Sequence, residues 1–95
     1  MQYLALIHNN ADTTPTAAEW SRFFEAGTQA GLFRGGSAIG FRLSVGPKEV
    51  PDTAQSVGGF MRFDAEELGP LLQLLESHPV VRHGGTVELF EMPKT

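Results

Sequence analysis

Cysteine is absent from the 95 residues, which excludes disulfides, a thiolate nucleophile and a thiolate metal site. Basic residues are scarce: seven Lys and Arg stand against eleven Asp and Glu, a formal charge of −4. A pI near 5.2 argues against a nucleic-acid surface, whose phosphates need clustered cations. Long apolar runs are missing too, and the stretch from Tyr3 to Ile7 is far too short to span a bilayer. The opening MQYLALIHNN has no cationic flank and no small-residue cleavage site, so no signal peptide is expected. Gly35-Gly36 and Gly84-Gly85 stand outside any GxGxxG or P-loop frame, which leaves no nucleotide-cofactor motif. No linker, low-complexity tract or solenoid repeat divides the chain. The expectation is one cytoplasmic domain over residues 1–95, with neither a membrane nor a nucleic acid as partner and with no cofactor.

What is present is a sequence of alternating element types. Gln2 to His8 is apolar without alternation, as in a central strand covered on both faces. Thr14-Pro15 supplies an N-cap and a first helical residue, opening a helix expected to run to Gln29 with Gly31 as its C-cap. Ala17, Trp20, Phe23 or Phe24, and Gly27 recur at helical spacing and define its apolar face, as core. Ile39, Phe41, Leu43 and Val45 alternate and predict the second strand, followed by a surface loop over residues 46–54. A third strand is expected over residues 55–63, with Gly58-Gly59 marking a bulge or a close backbone approach. Asp64 and Glu67 resemble a capping box ahead of the stripe Leu68, Leu71, Leu72 and Leu75. Pro70 requires either a kink there or a helix that starts properly at Pro70. His78-Pro79 ends that helix, and residues 86–91 form the last strand.

The order β-α-β-β-α-β in a small domain predicts the α+β ferredoxin-like arrangement, an antiparallel sheet with both helices on one face. Its central first strand is apolar on both sides, so the open sheet face is expected to be covered by a second copy in a two-fold dimer. The topology also sends His8, Asp12, the Lys48–Asp52 loop, His78 and His83 toward one end of the sheet. That set contains all three histidines of the chain.

Several stretches carry a family likeness. Ala30-Gly31-Leu32 with Gly36 and Ala38, then Gly58-Gly59-Phe60, Asp64, His78-Pro79 and Gly84-Gly85-Thr86-Val87-Glu88 form the matching pattern. Over nearly the whole chain the sequence resembles the YCII-related (DGPF-domain) family. The Asp-Gly-Pro-Phe element itself is replaced by Pro51-Asp52-Thr53-Ala54. The resemblance implies a dimeric ferredoxin-like subunit of the dimeric α-β barrel type, with members mostly lacking an assigned activity. Some relatives are proposed to use a His/Asp pair with its histidine on the first helix. This chain has Glu19 and Trp20 at that point and no histidine. Other relatives act on chlorinated muconolactone-type compounds, which keeps small-molecule chemistry open.

His8 reads either as a proton shuttle or as a strand-end histidine bonded to a loop carbonyl. Glu88 is close enough along the last strand to orient it. His83 precedes Gly84-Gly85, which either let a ligand approach closely or only turn the chain into the last strand. His78 sits at a helix C-terminus, where partial positive charge favours the dipole. No ligand spacing supports a metal, and no motif supports a Ser, Thr or Lys nucleophile. The arginines read as solvated strand positions, as dimer salt bridges or as contacts to an anion.

The first expectation is therefore a homodimer that binds a small polar or anionic metabolite. Its chemistry would be acid/base, of lyase, isomerase or dehalogenase type, with His8 or His83 moving the proton and Asp52 or Asp12 balancing it. Lys48, His78, Gly84 and Gly85 would complete the ligand site. The alternative is a non-catalytic dimeric module that binds a ligand or regulates a partner.

Overall fold

The structure, a computed structural model, describes residues 1–94. Its elements are β1 (Gln2–His8), α1 (Ala17–Gln29), β2 (Phe33–Ala38), α2 (Asp52–Gln55), β3 (Val57–Asp64), α3 (Leu68–Glu76), α4 (Pro79–Arg82) and β4 (Val87–Met92). The strands form one antiparallel sheet in the order β2-β3-β1-β4, the ferredoxin-like arrangement. No helix among the described residues is long and apolar enough to cross a membrane.

Strand period sorts the faces. Tyr3, Ala5 and Ile7 of β1 lie beside Phe63, Met61 and Gly59 of β3, and all but the glycine belong to the core cluster with Phe23, Leu71, Leu75 and Val80. Leu4 and Leu6 point the other way, beside Phe60, Glu88 and Phe90. They are only half-buried, so within one subunit β1 is covered on one face rather than both. The expected irregularity at Gly58-Gly59 is present, since the β1–β3 register slips between Ile7 and His8.

Three expectations need correction. Residues 39–45 form no strand: β2 ends at Ala38 opposite Gly59, the Ile39 N–H still bonds the Gly58 carbonyl at 2.9 Å, and the ladder stops there because β3 begins at Val57. The alternating side chains consequently stand in water, with Phe41, Leu43 and Val45 at 92%, 83% and 102% exposure. The cap of α1 is Thr16, not Thr14: its hydroxyl accepts from the Glu19 N–H while Glu19 accepts from the Thr16 N–H, a capping box. Asp64 does not cap α3; Glu67 is the N-cap residue and makes no side-chain cap bond. Pro70 then falls in the first turn, where its missing N–H leaves no bond unmade.

Candidate functional site

At the top of the sheet, where β1 runs into the loop toward α1, lies a cleft of about 670 Å³. One wall is Trp20 and Phe24 of α1, whose rings stack at 5.8 Å, and the other is the sheet at Phe33, Met61 and Gly59. Gly36 lets β2 press close to β3 in that wall: a Cβ on it would meet the Phe60 carbonyl oxygen at 2.3 Å. Ile7, His8, Asp12 and Thr13 close its upper edge. Phe24 therefore belongs to the wall of the cleft, in contrast to its reading as core, while Trp20 both lines the cleft and packs against the core cluster. No lysine or arginine is among the described residues that line it.

The three histidines occupy three different environments. His8, only 8% exposed, sits at the register slip, where its ring leaves the regular ladder. Its Nδ1 meets Ser56 Oγ and its Nε2 meets the Glu88 carboxylate. A carboxylate only accepts, so Nε2 carries the proton of the neutral ring and Nδ1 accepts from the serine hydroxyl. The orienting position of Glu88 follows from strand register, because it stands opposite Leu6 on the face that His8 shares. Ser56 was illegible in the sequence, since it precedes β3 and only the slip brings it to His8.

His83 repeats the pattern with other partners. Its Nδ1 lies 2.6 Å from Thr13 Oγ1 and its Nε2 lies 2.7 Å from Glu19 Oε2. The Thr16 backbone N–H and the His83 ring together hold the Glu19 carboxyl down at about 2. An N-cap expected at Thr14 misses the Thr16–Glu19 capping box, and nothing local announces that its glutamate reaches a histidine 64 positions away. Asp12 is tied to the same corner, its N–H donating to the His83 carbonyl at 2.8 Å. A Cβ on Gly84, whose φ is +88°, would strike the Asp12 carboxylate at 2.4 Å. Gly85 fits with similar closeness against Val80 and Asn10. The two glycines thus let the turn into β4 press against the loop that carries Asp12 and Thr13.

His78 departs from the reading of a helix-end cation. It is the N-cap of α4, with Pro79 at the first helical position, and its Nδ1 accepts from the Val80 N–H at 3.1 Å. Fully buried against Trp20 and Phe23, it has its pKa pushed down to about 4 by desolvation. An imidazole held neutral and enclosed by core rings does not line the cleft.

Lys48 and Asp52 are exposed, and both ring nitrogens of His8 and of His83 are occupied by other groups. The structure therefore gathers His8, Asp12, His83, Gly84 and Gly85 at one end and leaves the Lys48–Asp52 segment outside their hydrogen bonds. Arg42 donates to the carbonyls of Ala54 and Val57, and Arg62 to that of Arg34. Among the described residues no group of three or more His, Asp or Glu side chains is arranged to hold a metal ion.

No family model matches the chain, and neither does any curated protein. Among solved structures it is similar to 5-chloro-2-hydroxyhydroquinone dehydrochlorinase from Burkholderia phenoliruptrix AC1100, in complex with 2,5-dihydroxybenzoquinone. The likeness has 12% identity and a TM-score of 0.48, over 100% of this chain and 96% of that one.

Proposed function

We propose that the chain is a YCII-like homodimeric subunit that binds a small molecule in this cleft and moves a proton on it with His8. The observation that carries the reading is the His8 ring, held between Ser56 and Glu88 on a residue that lines the cleft. Glu88 fixes the tautomer and stabilises the imidazolium that forms when Nδ1, released as the Ser56 hydroxyl turns away, takes the ligand's proton, the usual task of a carboxylate behind a catalytic histidine. The aromatic walls and the absence of a cation among the described lining residues favour an uncharged, largely apolar ligand over the polar or anionic metabolite expected from sequence. Its hydroxyl or carbonyl groups would face Thr13 and Ser37.

The readout is hydrogen–deuterium exchange of a small enolisable lactone in D₂O, followed by NMR. Exchange at the carbon next to the carbonyl is expected with the wild type, and His8→Gln should slow it by about 10²-fold or more. Saturable binding of the lactone with no exchange would identify a non-catalytic binding module instead.

Dimerisation rests on surface area. The subunit exposes 6721 Å², whereas a compact monomer of 10.3 kDa exposes about 5400 Å². The excess exceeds the roughly 800 Å² per partner of a standard interface. It includes the 39–45 arm and the open sheet face, where Leu6, Phe60 and Phe90 form an apolar strip. Light scattering at micromolar concentration should give twice the subunit mass. Phe41→Asp combined with Leu43→Asp should return it to the subunit mass with an unchanged circular dichroism spectrum. A wild type that is already monomeric would remove the dimer from the proposal.

A further inference from the structure

The bonds of His83 have no part in the proton transfer assigned to His8. We propose that Thr13 is a hydroxyl nucleophile, activated by His83 and Glu19, that takes the acyl group of small esters or thioesters entering the cleft.

The geometry has three parts. Thr13 is exposed and is one of the residues that line the cleft. Its oxygen lies 2.6 Å from His83 Nδ1, while His83 Nε2 lies 2.7 Å from Glu19. Glu19 is itself fixed, because its other oxygen accepts the Thr16 N–H at 3.0 Å as part of the α1 capping box. An ionised glutamate only accepts, so Nε2 carries the proton and donates to it, which leaves Nδ1 as the acceptor and makes the threonine the donor. That is the polarity a hydroxyl nucleophile requires: base on the oxygen, carboxylate behind the base. The backbone that carries the imidazole is fixed. His83 is the C-cap of α4, its N–H bonded to the Pro79 carbonyl at 3.1 Å and its carbonyl bonded to the Asp12 N–H at 2.8 Å. This backbone tie already holds the Thr13 loop in place without the side-chain bond. Ser56 meets His8 through the same ring nitrogen, but it is half-buried and does not line the cleft.

In the acylation step Thr13 Oγ1 bonds to the carbonyl carbon as its proton passes to His83 Nδ1. The resulting imidazolium is paired with Glu19. The bond to the leaving alcohol or thiol then breaks, and the leaving group takes the proton from His83. A water molecule, deprotonated by the same nitrogen, attacks the Thr13 ester, releases the carboxylic acid and restores the hydroxyl. Water is the only co-reactant. Trp20 and Phe24 offer the acyl portion an apolar wall.

The test uses the full chain and an alkyl fluorophosphonate, with the modified residue located by peptide mass mapping. A phosphorus–oxygen bond is expected at Thr13, with fluoride released and the hydroxyl proton passing to His83. Thr13→Ser should keep the labelling and Thr13→Val should remove it. His83→Gln should slow it by about 100-fold or more, the scale of a lost general base. Glu19→Gln, which keeps an oxygen for the Thr16 N–H, should slow it by about tenfold. Labelling at Ser56, labelling of no residue, or labelling of Thr13 at an unchanged rate in His83→Gln would each overturn the proposal. It stands apart from the His8 reading, because labelling at Thr13 without hydrogen–deuterium exchange of the lactone would overturn that reading and leave this one, and the reverse result would do the opposite.

Discussion

Phe63→Ala is expected to lower the unfolding free energy by about 3–5 kcal/mol, the range for removing a buried aromatic ring. Phe63 is 0% exposed and lies on β3, between β1 and β2, opposite Tyr3 on one side and Phe33 on the other. Its ring meets that of Phe33 at 5.8 Å, so the truncation deletes an aromatic contact as well as buried area. The neighbours cannot close the gap easily. Met61 and Tyr3 are held by the strand ladder, and Phe33 is fixed at the start of β2. For a domain of this length the loss is a large share of a total of roughly 5–14 kcal/mol. Urea unfolding at one fixed protomer concentration reads it as a shift in midpoint at constant slope. Leu72→Ala is the control: Leu72 is 46% exposed on α3, and its loss should cost less than about 1 kcal/mol. A Phe63→Ala cost no greater than that of Leu72→Ala would mean that the sheet is not packed as described.

The fold was legible because it depends on periodicities that act locally. Tyr3, Ala5 and Ile7 mark one face of a strand whatever else the chain does, and Leu71 and Leu75 mark one face of a helix. The alternation of Ile39, Phe41, Leu43 and Val45 shows where such reading stops. A strand needs a neighbour as well as a pattern: Ile39 still bonds the Gly58 carbonyl, but β3 begins at Val57, and Phe41, Leu43 and Val45 have no strand beside them. The same alternation does carry information, as an apolar arm that a second subunit would cover.

The candidate site was legible in its parts and not in its bonds. Topology alone placed His8, Asp12 and His83 at one end of the sheet. The partners of these histidines come from distant positions: Ser56 and Glu88 for His8, Thr13 and Glu19 for His83. Each pairing depends on a register slip, a capping box or a turn of two glycines. None of these shows in residue type or spacing as a catalytic signature. The two histidines end with the same order of contacts, hydroxyl on Nδ1 and carboxylate on Nε2, from unrelated segments. Asp52 was associated with them only because its loop runs at the same end of the sheet, and exposure leaves it free of both rings.

His78 makes the strongest statement about pH. Its ring is fully buried, Nδ1 is occupied by the Val80 N–H, and Nε2 meets no hydrogen-bond partner among the described residues. Around it stand Trp20 at 5.1 Å and Phe23 at 4.7 Å, ring surfaces that tolerate an N–H edge but do not solvate a full charge. Desolvation therefore lowers its pKa from 6.5 to about 4. Between those values the unfolded chain binds the proton and the folded chain does not, so stability rises with pH through the window and is fully present above 6.5. Bringing the protein from neutral pH to 4 should cost about 3 kcal/mol through this one residue. His78→Asn keeps an N-cap acceptor for Val80 while removing the titration. The variant is expected to lose stability at neutral pH, from the smaller side chain, and to lose much of the slope between pH 6.5 and 4. Glu19 acts lower, because its depressed carboxyl gives stability above the ordinary value of 4.5 that is lost only as pH falls toward 2. The difference between wild-type and His78→Asn unfolding curves across the upper window isolates the histidine. Parallel curves would show that His78 is solvated in the folded protein and that the wall behind Trp20 is open.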